Sequence, residues 1–303
     1  MTATTAPTRA PTSQRTGILL VLGSALVWSF GGTLVRFLAI EDGWTVVFWR
    51  SLFAALFLLG FLLWRDGRRT GLAFREMGLP GVAVALCFAV ASMAFVLALA
   101  YTTVANVVLI QAGVPLIAAL AGRVLFGESV SPTTWAAIAA VIAGVAIMVS
   151  GSITGRVSPV GDVLALVIAF SFATATVITR RYAHLRMTPA VCLGTVIACA
   201  VAATQASGFA VTPDQFCILS VFGAFNFGLG LALFVTGARL LPAALAALIG
   251  TLETVLGPLW VALIHGEVPG IETVAGGLIV LSALLAYLGL ELRRLRGPAT
   301  AGA

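Results

Sequence analysis

Ten apolar runs, each about 20 residues long, follow one another through this 303-residue chain. The hydrocarbon core of a bilayer is about 30 Å thick, so an α-helix needs about 20 apolar residues to cross it. The runs are continuous and lack the alternation of membrane β-strands. They predict an all-α polytopic membrane protein. The predicted spans are residues 17–39, 44–64, 80–101, 103–126, 134–151, 160–180, 189–208, 214–238, 242–265 and 272–291.

The charge content excludes a soluble protein. Hydrophobic residues make up 60% of the chain and charged residues only 9%, against about 25% charged in soluble domains. So few charges could not cover the surface of a soluble globule. The loops are short, and the longest, about residues 65–79, has no apolar core of its own. We therefore expect the function to be performed by helices inside the membrane.

Several classes of chemistry are also excluded. All 17 basic residues are arginine, so a P-loop ATPase and Schiff-base chemistry are not expected. No HExxH motif, paired Asp or Ser–His pair lies at membrane depth, so an intramembrane enzyme is not expected either. Cys87, Cys192, Cys199 and Cys217 lie in or beside apolar runs without a CxxC motif. We expect no disulfide framework, metal site, cofactor or nucleic-acid partner.

The arginines predict an orientation, because Lys and Arg concentrate on the cytoplasmic side of a membrane. With the N-terminus in the cytoplasm, 14 arginines lie inside and two, Arg36 and Arg156, lie outside. Arg50 falls within the second span. One span more or fewer would remove this bias, so it also supports the count of ten. Both termini are predicted to be cytoplasmic.

The two halves of the chain carry the same pattern at the ends of the fourth and ninth spans. Leu125–Glu128 and Ile264–Glu267 both end in Gly–Glu. Pro115 lies 13 residues before Glu128, and Thr254 lies 13 residues before Glu267. The two Gly–Glu pairs are therefore predicted to occupy equivalent positions in a duplicated unit.

A second match, of Trp28–Phe30 with Phe170–Phe172, lies near the start of each half. Each half has five spans, an odd number, so the second copy enters the bilayer upside down. Inverted repeats around a midplane site are typical of secondary transporters. The predicted organisation is a disordered cytoplasmic tail at 1–16, a first five-helix repeat at 17–151, a second, inverted five-helix repeat at 160–291 and a cytoplasmic tail at 292–303.

These motifs together resemble the EamA-type drug/metabolite transporter superfamily. They are Trp28–Ser29, Arg50 in the segment FWRSLFAALFLL and the two Gly–Glu span endings, and the resemblance covers residues 17–291. It implies two inverted five-helix repeats, a central cavity and export of small metabolites. Within the superfamily the chain is most similar to bacterial YddG-type exporters of aromatic and other neutral amino acids. That similarity implies a multi-pass protein of the bacterial inner (plasma) membrane.

Two charged residues lie inside spans, where an ionisable group is costly. Glu253, near the middle of the ninth span, is a candidate to bind a substrate ammonium or a coupling proton. The alternative is a structural Glu bonded between helices. Arg50 is a candidate anchor for a substrate carboxylate. The alternative, which we favour at this point, is a structural arginine bonded to helix-end carbonyls or to Asp42.

Prolines and amides in the fourth and ninth spans are further candidates. Pro115 and Pro258 are predicted to interrupt corresponding helices, Pro258 lying one turn beyond the Thr254 that replaces the superfamily's usual proline. Paired interruptions indicate a transport site, although each could be a packing kink. Asn106 and Gln111 of the fourth span either line the pathway or bond neighbouring helices.

Aromatic side chains and one amide of four other spans complete the candidate substrate site. An apolar cavity with few polar groups suits neutral amino acids, whereas the alternative is that these rings face lipid or the core. The residues are Trp28, Phe95, Tyr101, Phe170, Phe222, Phe225 and Asn226.

The sequence thus predicts a secondary exporter of small neutral or zwitterionic metabolites that works by alternating access. Amino acids, including aromatic ones, are the predicted small-molecule partners besides the lipid bilayer, and Glu253 is the candidate for proton coupling. Two alternatives stay open. One is an exporter of drugs or hydrophobic cations, and the other is a channel, which would need a continuous polar stripe. The oligomeric state is not predicted.

Overall fold

The computed structural model describes residues 11–38, 40–102, 104–127, 129–150, 159–266 and 270–296, and these residues contain no β-strand. They form ten helical segments long and apolar enough to cross a membrane, which confirms the predicted fold class. The helices are α1 (Pro11–Ser29), α2 (Gly31–Arg36), α3 (Gly43–Asp66), α4 (Thr70–Glu76), α5 (Gly78–Tyr101), α6 (Val104–Gln111), α7 (Val114–Phe126), α8 (Pro132–Ser150), α9 (Pro159–Arg181), α10 (Thr188–Gln205), α11 (Pro213–Val221), α12 (Gly230–Ala238), α13 (Ala243–Gly250), α14 (Leu252–His265) and α15 (Ile271–Arg296).

Four of the ten spans are interrupted. The first consists of α1 and α2, the fourth of α6 and α7, and the ninth of α13 and α14. The eighth consists of α11, a π-helical segment at Phe222–Leu229 and α12. The outer helices extend beyond the predicted spans, since α1 begins at Pro11 and α15 ends at Arg296. Residues 11–16 are therefore helical and not part of a disordered tail.

The glycines of the two Gly–Glu motifs end the fourth and ninth spans. Gly127 has φ 66° and Gly266 has φ 69°, and both adopt the left-handed conformation directly after the last helical residue. Glycine is favoured there because a Cβ atom would be strained at positive φ. The matching glycines therefore stop equivalent helices in the two repeats. Glu128 and Glu267 lie outside the described residues.

The contacts between spans follow a two-fold pattern. The third span packs against the sixth as the eighth packs against the first, and the second packs against the eighth as the seventh packs against the third. Equivalent spans also contact each other directly: the second and seventh, the fourth and ninth, and the fifth and tenth. Exchanging the two repeats leaves this pattern unchanged. With five crossings each, the repeats have opposite orientations.

An aromatic cluster at the centre joins the first, third, sixth and eighth spans. The Phe234 ring lies 4.8 Å from Phe172 and 5.4 Å from Trp28, and Phe88 packs edge-on against Phe172 at 5.8 Å. Offset and edge-on arrangements of this kind stabilise buried aromatic rings beyond their burial alone. The cluster therefore joins two helices of each repeat, and two of these four helices, the first and eighth spans, are interrupted.

Candidate functional site

The first span is interrupted between Ser29 and Gly31. An interruption leaves carbonyl groups without their helical partners, and such groups need other donors. The side-chain amide of Asn226 supplies them: Nδ2 donates to the carbonyl of Val27 at 2.6 Å and to that of Trp28 at 3.2 Å. Asn226 thus stabilises the interruption from the opposite repeat.

Asn226 itself belongs to the π-helical segment of the eighth span. π-Helical turns within α-helices are rare and occur frequently at functional sites. This segment lies very close to α3, because a Cβ atom on Gly223 would collide with the carbonyl oxygen of Arg50. The eighth span therefore contacts the first span with its amide and the second span with its backbone.

The fourth and ninth spans are interrupted at matching positions. The fourth turns at Ala112–Gly113, before Pro115, and the ninth turns at Thr251, three residues before Thr254. In the ninth span, the hydroxyl of Thr251 donates to the Leu248 carbonyl at 2.7 Å, and that of Thr254 donates to the Thr251 carbonyl at 2.8 Å.

The prediction that Pro258 interrupts the ninth span is wrong, since Pro258 lies inside α14. The helix breaks seven residues earlier, at Thr251, where threonine hydroxyls satisfy the carbonyl groups. The ninth span therefore breaks at the position equivalent to the break in the fourth span and not at its proline.

Glu253 is the second residue of α14, so it lies in the first turn of a half-helix that begins inside the membrane. Its side chain is half-buried and makes no hydrogen bond or ion pair with the described part of the chain. A helix N-terminus carries partial positive charge, which favours a carboxylate there. The structure thus places an acidic group beside the interruption of the ninth span.

The face of α14 that carries Glu253 points toward the first span. Residues at i, i+4 and i+7 share one helix face, and here they are Glu253, Gly257 and Trp260. Trp260 Nε1 donates to Ser29 Oγ at 2.8 Å, and its ring stacks on Phe30 at 4.6 Å. We call the residues around the two interruptions, Ser29, Asn226, Glu253 and Trp260, the break site.

The structure also places most of the other candidate residues of the first, third and fourth spans. Trp28 is half-buried in the central aromatic cluster, and Gln111 is the half-buried last residue of α6, directly before the turn of the fourth span. Phe95 is half-buried and packs against residues of the fourth and sixth spans. The side chain of Asn106 lies outside the described part of the structure.

Three predicted aromatics are more open. Tyr101, Phe170 and Phe225 expose 49%, 55% and 56% of their surface. Phe225 packs on Phe57 of the second span at 6.0 Å, and Tyr101 is the last residue of α5. Their part in substrate binding stays a prediction.

Sequence reasoning missed Trp260 as a site residue. Its position seven residues after Glu253 was a usable signal, because that spacing places both side chains on one helix face. Its hydrogen bond to Ser29, 231 residues away, was not readable from the sequence.

Asp42, between the first two spans, fastens its loop to the loop between the seventh and eighth. Its carboxylate accepts hydrogen bonds from the backbone of Trp44 at 2.9 Å, from the Thr45 hydroxyl at 3.0 Å and from the Ser207 hydroxyl and backbone at 2.7 and 2.8 Å. Burial opposes the charge, but the hydrogen bonds from Ser207, Trp44 and Thr45 outweigh it and lower the pKa of Asp42 to about 2. Asp42 therefore joins the two repeats at this end of the bundle.

Two cavities open at the other, arginine-rich end. The larger, about 610 Å³, is lined by Arg65, Asp66, Arg69 and Arg186 among others, and Asp66 pairs with Arg65 and Arg186 at 2.7 and 3.1 Å. The smaller, about 140 Å³, lies near the end of α7 and the beginning of α13, on the side of the interruptions of the fourth and ninth spans where Pro242 and Leu245 lie.

Two segments of the chain, residues 15–150 and 159–289, match the EamA-like transporter family. The chain belongs to this family. It is a membrane transporter of small solutes and not an enzyme, and its two matched segments cover the two repeats seen in the structure.

Comparison with solved structures supports the fold independently. One crystal structure superposes with a TM-score of 0.79 over 93% of this chain and 99% of its own, at 17% sequence identity. At that identity the likeness concerns the fold alone. A search of curated proteins finds no match.

Proposed function

We propose that this EamA-like transporter exports small zwitterionic or neutral metabolites, including aromatic amino acids, by alternating access. The two inverted repeats supply the mechanical basis, since exchanging their conformations interconverts inward-open and outward-open states of similar energy. Four interrupted spans, two from each repeat, are the elements that can change shape. The proposed similarity to YddG-type exporters belongs to this hypothesis.

One observation carries the proposal: the carboxylate of Glu253, in the first turn of a half-helix, has no partner among the residues that the structure describes. A charged group facing lipid at this depth is costly, and the face shared with Gly257 and Trp260 directs Glu253 toward the first span instead. A carboxylate there binds the ammonium group of a substrate or accepts a proton in its place. The substrate ammonium and the proton then compete for the same carboxylate. Such competition is required if export of the substrate is coupled to entry of a proton.

The surroundings of Glu253 favour an amphiphilic substrate. Within the break site the ring of Trp260 stacks on Phe30, Trp28 of the central aromatic cluster directly precedes Ser29, and the hydroxyl of Ser29 and the amide of Asn226 supply polar groups. Sites of small ligands combine an apolar lining with a few convergent polar groups in this way. A neutral amino acid with an apolar side chain matches this composition.

The arginine distribution supports an orientation in the membrane for the proposed exporter. With 14 arginines on the side of the termini and two on the other, both termini are proposed to be cytoplasmic, in the inner (plasma) membrane of a bacterium. The smaller cavity, beneath the interruptions of the fourth and ninth spans, then opens toward the cytoplasm and marks the entry side for an exported solute.

Counterflow in proteoliposomes tests the proposal. Liposomes loaded with unlabelled phenylalanine should accumulate labelled phenylalanine, and Glu253→Gln should reduce the initial rate about tenfold or more and flatten its dependence on pH. The matched control is Glu272→Gln, which removes a carboxylate from the first turn of α15, where the side chain is exposed. That variant should behave as wild type.

Other outcomes identify the alternatives. Accumulation of hydrophobic cations without amino acids would favour a drug exporter, and flux that does not saturate with solute concentration would favour a channel. An unchanged rate and pH profile in Glu253→Gln would remove Glu253 from the mechanism.

A further inference from the structure

Arg50 is a buried cation in the second span, the eighth residue of α3. Only 7% of its surface is exposed. At 1.5 Å per residue it lies about 10 Å along α3 from the start of the helix, too deep to extend its guanidinium into water at that end. It is therefore a charge inside the protein and inside the membrane.

The partners of the guanidinium are one hydroxyl and two rings. Nη2 donates to Ser92 Oγ at 2.6 Å, and the group lies over the rings of Phe227 and Phe222, 4.5 and 5.4 Å from their centres. Nε is fully enclosed and has no hydrogen-bond partner among the described residues. None of these contacts brings a negative charge.

The counter-ion expected from the sequence is not there. Asp42 uses its carboxylate on Trp44, Thr45 and Ser207. No other carboxylate among the described residues forms an ion pair with Arg50. A buried cation without a carboxylate is costly to the fold, so the charge calls for an anion from outside the chain.

The position of Arg50 connects it to the break site. The ring of Phe222 lies beside Arg50 on one side, and on the other it would be 3.8 Å from a Cβ atom on Gly31, at the interruption of the first span. Both rings belong to the π-helical segment that also carries Asn226. The ring of Phe222 thus lies between the cation of Arg50 and the interruption of the first span.

We propose that Arg50 binds the carboxylate of the transported solute when the π-helical segment moves aside, with Nε and Nη forming the planar fork that matches a carboxylate. The inference rests on the proposed function, because it assigns the second charge of a zwitterion whose ammonium is assigned to Glu253. It defines the substrate class as one with a carboxylate next to an apolar side chain.

Competition with three probes tests the proposal on the wild-type protein. In nanodiscs of phosphatidylcholine, which carries no net charge, the probes are phenylalanine, 3-phenylpropanoate, which lacks the ammonium group, and phenylalaninamide, which lacks the carboxylate. Phenylpropanoate should compete with labelled phenylalanine, and phenylalaninamide should compete about tenfold more weakly than phenylalanine. A phenylalaninamide that competes as well as phenylalanine would overturn the proposal.

The variant Arg50→Gln should abolish this preference, so that phenylalanine and phenylalaninamide bind within about twofold of each other. Arg36→Gln, at the end of α2, is the matched control and should keep the wild-type preference. An equal loss of affinity for all three probes in Arg50→Gln would assign Arg50 a structural role and overturn the proposal. Should that variant fail to fold, the wild-type competition decides alone.

The same data separate this inference from the proposed function. Arginine-dependent binding of 3-phenylpropanoate without phenylalanine transport would retain the carboxylate site and reject amino-acid export. Phenylalanine transport with no preference for a carboxylate would do the reverse.

Discussion

The fourth and ninth spans are equivalent helices of the two repeats, and they share the position of their interruption but not its chemistry. The residue that precedes Pro115 is Val114, which is 6% exposed. The residue that precedes Thr254 is Glu253, which is half-buried and has no partner in the described ranges of the chain. The repeat therefore determines where the helix breaks. The side chains of each copy determine what the break can bind.

The half-helices that follow the two interruptions also differ in packing. α7 packs firmly against α9 and α13, with Val114 and Ala118 buried. α14 contacts α1, α2 and α15, yet none of its residues is fully buried. Loose packing lowers the cost of moving a helix, so α14 is the half-helix better suited to move during transport.

The first spans of the two repeats also differ, because only one of them is interrupted. The first span breaks at Phe30, whereas its counterpart, α9, runs without interruption from Pro159 to Arg181. The amide of Asn226 supports only the first of these. The two repeats thus share a topology, but they differ in which spans are interrupted and in which polar side chains lie at the interruptions.

Placing the charge of the ninth span in the fourth should have the largest effect. Val114→Glu buries a carboxylate among Ala118, Ala169 and Val177, and we expect a loss of about 3 kcal/mol or more, seen as a large fall in folded yield in detergent. Val114→Leu, a change in volume alone, should lose much less. A folded, stable Val114→Glu protein would show that the fourth span tolerates what the ninth requires.

Removing the support of the first span should have the next largest effect. Asn226→Leu leaves the carbonyls of Val27 and Trp28 without their donor, and we expect a loss of about 1–3 kcal/mol, measured as a lower thermal midpoint. Asn106→Leu, an amide of the fourth span, is the comparison variant. Equal midpoints for wild type and Asn226→Leu would contradict the assigned role.

The threonine of the ninth span should matter less. Thr254→Val keeps the shape but removes the hydroxyl that donates to the Thr251 carbonyl, and we expect a loss of about 1 kcal/mol. Thr236→Val removes a similar hydroxyl from the unbroken helix α12, where its bond to the Ala232 carbonyl is dispensable. Its thermal midpoint should change less than that of Thr254→Val.

The link between the repeats at Asp42 should give the smallest effect. Because the pKa of Asp42 in the folded protein is about 2, below the ordinary 3.8, its contribution to stability is full above pH 4 and is lost as the pH falls toward 2. Asp42→Asn should lower the thermal midpoint slightly at pH 7. Below pH 4 its midpoint should fall less steeply than that of wild type, and parallel curves would refute the assignment.

Much of the fold was predictable because each span is a long, continuous apolar segment of the sequence. The separation of the third and fourth spans around Tyr101–Thr103 was expected, and α5 ends at Tyr101. The helix-ending role of Gly127 and Gly266 also followed from the repeated motif. The break of the ninth span was misplaced at Pro258, because threonine hydroxyls can open a helix as well as a missing N–H group can.

The candidate site was predictable only in its residue types. Glu253 was identified because any carboxylate within a span is unusual, and the structure then showed which helix face it occupies. For Arg50 the sequence favoured a structural role, with helix-end carbonyls or Asp42 as partners. Asp42 is instead held by Ser207, 165 residues away in sequence, and such a contact has no local signature.

The sequence by itself determined that this protein lies in a lipid bilayer, how many spans it has and that a five-helix unit is duplicated. These properties depend on the length of apolar runs and on motifs that repeat along the chain. Only the tertiary structure decided which interruptions are bonded by a side chain of another helix, which buried charges lack an ionic partner among the described residues and which side chains face one another. These properties arise where helices distant in sequence meet, and there one hydrogen bond from another helix changes the role of a residue.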